Sequence, residues 1–214
     1  EKLLTYPSLP QLFSDAGYYT AYLHTFNDGI YNRTALYTAL GFQDMYFSGD
    51  FAAIDPEAAA APDYWGYMYG KIAGEFYSDD YLADVTAELF DQKAGEGPVF
   101  LWAVTMENHT PYTEDKFSSY DFPFESDLGD EAVGVLNAVT QGVADCSEAL
   151  GKLVDHLAAQ DEPVIVVFFG DHQPNLPEDF YNTLLESQRG DLSDAELRQK
   201  KMVTPFFIWA NYDI

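Results

Sequence analysis

Four apolar runs rich in β-branched and aromatic residues predict buried strands at residues 18–23, 99–106, 164–169 and 205–210. Pro98 and Pro163 precede the second and third, a position that suits strand entry. Both of those runs are almost continuously apolar, as expected of strands covered on both faces. Helical patterns lie between them. Residues 8–16 and 32–40 are short helices stopped by Gly17 and Gly41. Residues 79–93 carry Leu82, Val85, Leu89 and Phe90 on one face. Residues 132–157 place apolar side chains at 132, 136, 139, 143, 146, 150, 153 and 157, one predicted buried stripe. Gly134, Gly142 and Gly151 interrupt that helix at a cost of ~1 kcal/mol each against Ala, so packing must hold it together. Residues 179–185 and 193–201 are shorter helices.

Strands alternating with helices predict an α/β fold with a mainly parallel central sheet flanked by helices. The Ala-rich stretch 51–62 runs into Tyr64, Trp65, Tyr67 and Tyr69, and is expected to be a surface excursion. Its aromatic residues either pack that loop locally or face a substrate. A chain of 214 residues with 47% hydrophobic and 16% aromatic content can bury a sizeable core. Ten Lys+Arg against 36 Asp+Glu leave a net charge of −26. Such a surface excludes a nucleic-acid reader and a basic patch for anionic lipid. It also repels anionic substrates unless a cation or arginine reverses the field locally. The single Cys146 excludes an internal disulfide and a Cys-rich zinc site, and its helical context predicts a buried packing residue. No run of 18 apolar residues is present. The chain opens Glu1-Lys2-Leu3-Leu4 without a signal-peptide pattern or initiator methionine, which leaves room for an upstream anchor.

In open α/β sheets ligands bind beyond the carboxyl ends of the strands. His24 and then Tyr31-Asn32-Arg33 follow the first strand; Glu107-Asn108-His109-Thr110-Pro111-Tyr112 follows the second. Gly170-Asp171-His172 follows the third and Asn211 the fourth. Three of the four histidines and one of the few arginines thus fall at one predicted rim. Glycine lets the chain turn out of the sheet at 170. Asp171 and His172 then offer an oxygen and an imidazole nitrogen suited to Mn²⁺ or Zn²⁺; alternatively Asp171 caps the next turn beside a solvent histidine. His109 either acts on a phosphoryl oxygen as donor, acid or base, or packs on Tyr112. Arg33 either holds an oxyanion with its guanidinium fork or forms a surface ion pair. His24 lies at a buried edge or in the site, and His156 on the solvent side of the long helix. The sequon matches at Asn32 and Asn108 coincide with the predicted rim and are read as accidental. No phosphate-binding glycine loop, nucleophile elbow or H-E-x-x-H motif occurs.

The ordered set comprises Ser8-Leu9-Pro10-Gln11-Leu12-Phe13, Gly17-Tyr18, His24, Tyr31-Asn32-Arg33, Tyr37 and Leu40-Gly41-Phe42. It continues with Ser78-Asp79, Met106 to Tyr112, Asp145, Gly170-Asp171-His172 and Thr204 to Asn211. In this order the chain resembles the sulfatase-like branch of the alkaline phosphatase superfamily, nearest to lipoteichoic-acid synthases and related phosphoglycerol transferases. The resemblance implies that Asp171 and His172 are two ligands of a divalent metal, with Mn²⁺ favoured and Mg²⁺ or Zn²⁺ compatible. It implies that His109 and Arg33 contact the phosphoryl group or glycerol of the substrate, that His24 stands near the site, and that Tyr31 takes a place where the family often has Trp. The family's nucleophilic threonine and a glutamate ligand precede the segment at which this chain starts. Residues 1–214 are therefore expected to be the C-terminal portion of one sulfatase-like catalytic domain, truncated at both ends and without turnover alone. The implied parent is membrane-anchored, its catalytic domain on the extracellular face, acting on glycerophosphate-containing lipids or envelope polymers. An arylsulfatase, and a non-catalytic acidic binding module of the same fold, are the competing expectations.

Overall fold

Ser8 starts the first helix: its hydroxyl accepts the Gln11 N–H while Pro10 pre-sets the first turn of α1 (Leu9–Asp15). A computed structural model describes residues 7–213 apart from 124, 126–128, 177 and 188–189; the opening at Glu1–Leu4 lies outside the described residues. The described elements fall into two compact units, Glu1–Glu107 with Asp145–Leu153, and Asn108–Ala144 with Val154–Ile214.

In the first unit, α1 leads through Gly17, at φ 86°, into β1 (Tyr19–His24). Then come α2 (Arg33–Ala39), β2 (Asp44–Tyr46), a 3₁₀ turn (Phe51–Ala53), α3 (Pro56–Ala60), α4 (Tyr64–Tyr69), β3 (Ile72–Ala73), β4 (Phe76–Tyr77), α5 (Asp79–Ala94) and β5 (Val99–Val104). The sheet is parallel, ordered β2-β1-β5, with His24 opposite Val104 at its carboxyl edge. Strand alternation sends Ala21 and Leu23 to one face, where they pack with Tyr81, Leu82, Val85 and Leu89 of α5. Tyr22 goes to the other face, with Phe42, Phe47 and a stacked Tyr37 ring 3.8 Å away.

The stretch 51–69 is only in part the expected surface excursion. Of its aromatic side chains only Trp65 and Tyr69 are largely exposed, although several Ala, Pro and acidic residues there do face solvent. Phe51, Ile54, Ala58 and Met68 are buried in the α5-side core. Asp55 makes this so. Its carboxylate caps α3 by accepting the N–H groups of Glu57 and Ala58, and it also accepts the hydroxyls of Tyr67 and Tyr81 at 3.0 and 2.9 Å.

The helix α6 (Asp130–Ala158) contributes residues to both units, and Lys152 on it pairs with Asp80 and Asp84 of α5. Its buried positions differ from the predicted stripe. Gly134, Ala138, Gln141, Gly142, Ala149 and Leu157 are buried, whereas Val143 is exposed and 132, 136, 139, 146, 150 and 153 are half-buried. Close approach at small residues, rather than the bulkiest stripe, decides which side faces inward. His156 is half-buried rather than solvent-exposed, with Gln160 Nε2 3.2 Å from its Nε2.

In the second unit, β6 (Ile165–Phe169) is followed by α7 (Glu178–Ser187), α8 (Asp194–Lys200) and β7 (Phe206–Ala210). A capping box joins Ser193 and Glu196 at the start of α8. The strands β6 and β7 pair antiparallel, with Phe169 opposite Phe206 and Ile165 opposite Ala210. A parallel sheet flanked by helices is thus accompanied by an antiparallel pair. Among the described residues no helix is long and apolar enough to cross a membrane.

Candidate active site

Antiparallel pairing corrects one member of the predicted rim. The carboxyl end of β6 carries Gly170-Asp171-His172, but the carboxyl end of β7 lies at the opposite end of the pair. Asn211 there is a clamp: its Oδ1 accepts the Val164 N–H at 2.9 Å, and its Nδ2 donates to the Gln160 and Glu162 carbonyls. Gly170 also has another purpose than expected. Its backbone is not left-handed, and a Cβ there would stand 3.2 Å from Thr204 Cβ, so the next chain segment runs close against it.

In the second unit the structure brings His109, Asp171 and His172 together. The His109 and His172 rings lie 6.4 Å apart at 78°. The Nδ1–H of His172 donates to the Gln173 carbonyl at 2.9 Å, which leaves the lone pair of the neutral ring on Nε2. That Nε2 stands 3.6 Å from Asp171 Oδ2, while Asp171 Oδ1 accepts the His172 N–H at 2.9 Å. The Asp171 carboxylate therefore both accepts the next amide and faces the His172 ring. His109 has the same tautomer, its Nδ1–H donating to the Thr110 carbonyl at 2.9 Å. Lys116, which sequence patterning does not single out, is buried and donates from Nζ to the His109 carbonyl at 2.7 Å. Tyr112 does not simply pack on His109; its hydroxyl donates to the Asn108 carbonyl at 2.6 Å.

Asp171 and His172 fit a divalent ion as two ligands. A carboxylate oxygen and an imidazole nitrogen face one another, and a carbonyl fixes the imidazole tautomer from behind. Among the described residues no group of three or more His, Cys, Asp or Glu side chains is arranged to hold a metal.

The first unit holds the other candidates. Arg33 donates from Nη1 to the Asn27 carbonyl at 3.0 Å and lies over the rings of Tyr31 and Phe26, at 5.7 and 6.0 Å. Tyr31 and Asn32 both have positive φ, 61° and 52°, and Tyr31 is 84% exposed. Two consecutive non-glycine residues in that conformation store ~1–3 kcal/mol each, a feature that concentrates at functional sites. His24 is buried. Its Nδ1–H donates to Val104 O at 3.1 Å and its Nε2 has no hydrogen-bond partner. Burial, more than the nearby Arg33 charge, pushes its pKa down to about 4, although the Val104 carbonyl opposes this, so it is neutral at physiological pH.

Sequence reasoning passed over a third group, also in the first unit. Glu107 is 1% exposed and its Oε2 accepts the Asp79 N–H. Burial raises the pKa of both carboxyls, Asp79 to about 6; the Cys146 thiol and Thr105 hydroxyl draw Asp79 back only in part. Cys146 itself is half-buried, its thiol pushed up to about 12 by burial and by Asp79. The signal for Glu107 was its place directly after an apolar strand, one residue before Asn108-His109.

Comparison with known proteins bears on the chain as a whole. The Sulfatase family model matches residues 1–214. A protein of Rhizobium meliloti (strain 1021), named as a candidate cyclic beta-1,2-glucan modification protein, is 28% identical over 210 residues, covering 96% of this chain and 30% of its own length. Among solved structures, the lipoteichoic acid synthase LtaP of Listeria monocytogenes superposes with a TM-score of 0.65 at 25% identity, covering 94% of this chain and 45% of that one. The Streptococcus pyogenes phosphoglycerol transferase GacH, solved with sn-glycerol-1-phosphate, shares the fold with a TM-score of 0.62 at 21% identity, covering 91% and 44%. The chain therefore spans about a third of that curated relative and under half of these solved chains. The mixed α/β architecture and the match over the whole chain place this protein in the Sulfatase family, with an alkaline-phosphatase-like fold.

Proposed function

We propose that residues 1–214 are the C-terminal portion of a metal-dependent phosphoglycerol transferase or phosphodiesterase domain. Its substrates are glycerophosphate-containing lipids or polymers of the cell envelope, reached at the extracellular face of a membrane by an anchored parent. The observation that carries this reading is the His109–His172–Asp171 arrangement, in which two imidazoles share one tautomer beside a carboxylate. The likeness to LtaP and GacH favours phosphate over sulfate esters. The R. meliloti relative suggests a glucan hydroxyl as one class of acceptor.

Asp171 and His172 would hold the ion; this oxygen–nitrogen pair suits Mn²⁺ or Zn²⁺, and the family resemblance favours Mn²⁺ with Mg²⁺ also compatible. When bound, the ion supplies Lewis-acid charge to a phosphoryl oxygen. His109 presents Nε2 to the substrate, as donor to a phosphoryl oxygen when protonated and as proton acceptor when neutral. Arg33, already oriented by the Asn27 carbonyl and two aromatic rings, supplies a guanidinium for the anion. Tyr31 offers an exposed ring beside it for the glycerol or its carrier. His24, neutral and buried, steadies the carboxyl end of β1 within the unit that carries Arg33 and Tyr31. Such local positive charge answers the repulsion that a −26 chain exerts on an anionic substrate.

The test uses the full-length parent with Asp171→Ala and His172→Ala, assayed on a glycerophosphate diester and an aryl sulfate with Mn²⁺ present. Loss of diester turnover by about 100-fold or more in both variants supports the reading. Undiminished turnover overturns the metal assignment. Cleavage of the sulfate ester alone identifies an arylsulfatase, and no turnover by the wild type on either ester favours a binding module.

A further inference from the structure

The segment carrying His109 lies against α6 where that helix has no side chain. A Cβ on Gly142 would stand 2.8 Å from Asn108 Cγ and closer still to its Oδ1. One on Gly134, eight residues earlier, would stand 2.8 Å from Glu114 Cβ. Ala138 between them is fully buried. A spacing of four residues puts all three on one helix face. Asn108 Oδ1 is buried with no hydrogen-bond partner, so van der Waals contact with Gly142, not a bond at that oxygen, sets where it rests. The backbone on either side is pinned by Tyr112 Oη on the Asn108 carbonyl and by Lys116 Nζ on the His109 carbonyl. His109 therefore leaves a short segment in which the side-chain amide of the preceding residue, Asn108, is seated on Gly142.

We propose that Gly142 is a positioning residue for His109, its missing side chain admitting Asn108 and so fixing the imidazole for the phosphoryl group. This rests on the role given to His109 above. The glycine weakens the helix, and Gly151 on the same helix is the comparison: a Cβ there would meet nothing within 4 Å.

The experiment compares Gly142→Ala, Gly151→Ala, Asn108→Ala and Asn108→Ala/Gly142→Ala in the full-length parent. Readouts are kcat and KM on a glycerophosphate diester, and the His109 Hε1–Cε1 resonance in histidine-labelled protein, assigned with His109→Gln. Gly142→Ala is expected to shift that resonance and lower kcat about 10- to 100-fold with KM little changed. Gly151→Ala should do neither. The double variant, lacking the atoms that clash, should return resonance and kcat to those of Asn108→Ala alone. An unmoved resonance in Gly142→Ala, or no recovery in the double variant, overturns the proposal. If Gly142→Ala does not fold, the double variant must; failure of both overturns it equally. Full activity in His109→Gln would refute the catalytic reading of His109, while the resonance arm would still decide whether Gly142 seats it.

Discussion

The Glu107 carboxyl accepts the Asp79 amide N–H at 2.5 Å, tying the first turn of α5 to the chain that leaves β5. Glu107 and Asp79 are both almost fully buried, at 1% and 3% exposure. Burial makes both carboxyls hold protons that the unfolded chain would release near pH 4. Over that range the folded state binds more protons, so stability falls as pH rises from about 4 through the raised folded values. Glu107→Gln keeps an acceptor for the Asp79 N–H and removes one titration. It should therefore gain about 1–3 kcal/mol over wild type at pH 8 and much less at pH 5. Glu107→Ala should lose stability at both. Urea denaturation at the two pH values checks this, and an equal Glu107→Gln effect at both would show that Glu107 does not titrate there.

His24 has the opposite sign. Its folded pKa is pushed by burial to about 4, below the unfolded value of 6.5, so the unfolded chain takes up the proton first on acidification. The stability this neutral ring permits is full above pH 6.5 and is lost as pH falls toward 4, by about 3 kcal/mol. His24→Asn retains a donor for the Val104 carbonyl and should flatten that loss. Denaturation of both proteins between pH 7 and 4 gives the difference slope, which isolates His24 from the carboxyls.

Asp55 joins α3, Tyr67 and Tyr81 through one carboxylate. Burial tends to raise its pKa, but the two amides and two hydroxyls outweigh that and lower it. Asp55→Ala should cost about 2–4 kcal/mol, since it removes a cap and orphans hydroxyls beside a buried core. The contribution is present above the unfolded carboxylate pKa and lost below it. Thermal unfolding at pH 7 measures the cost; a change under 0.5 kcal/mol would mean water replaces the carboxylate.

Mn²⁺ offers a direct reading of the candidate metal ligands. Titrated into histidine-labelled parent, it should broaden the His172 imidazole signals first and those of His109, 6.4 Å away between ring centroids, with them. His156 should be little affected. Asp171→Ala/His172→Ala should abolish this selectivity, and its persistence would place the ion elsewhere.

Much of the fold was legible in the sequence, because apolar periodicity and capping chemistry are local. The strands near 18–23, 99–104, 165–169 and 206–210, and the helices from α1 to α8 other than α3 and α4, follow from that periodicity and from Gly17 and Gly41 at helix ends. Adjacency in sequence likewise determined that Asp171 and His172 could face one another. The direction in which β7 pairs with β6 is not local; an apolar run reads the same in either orientation, and only the pairing moved Asn211 away from Asp171. The core role of Phe51, Ile54 and Met68 depended on Asp55 meeting a tyrosine 26 residues away. Glu107 on Asp79 and Asn108 on Gly142 are contacts between segments far apart in sequence, so only the tertiary structure could decide them.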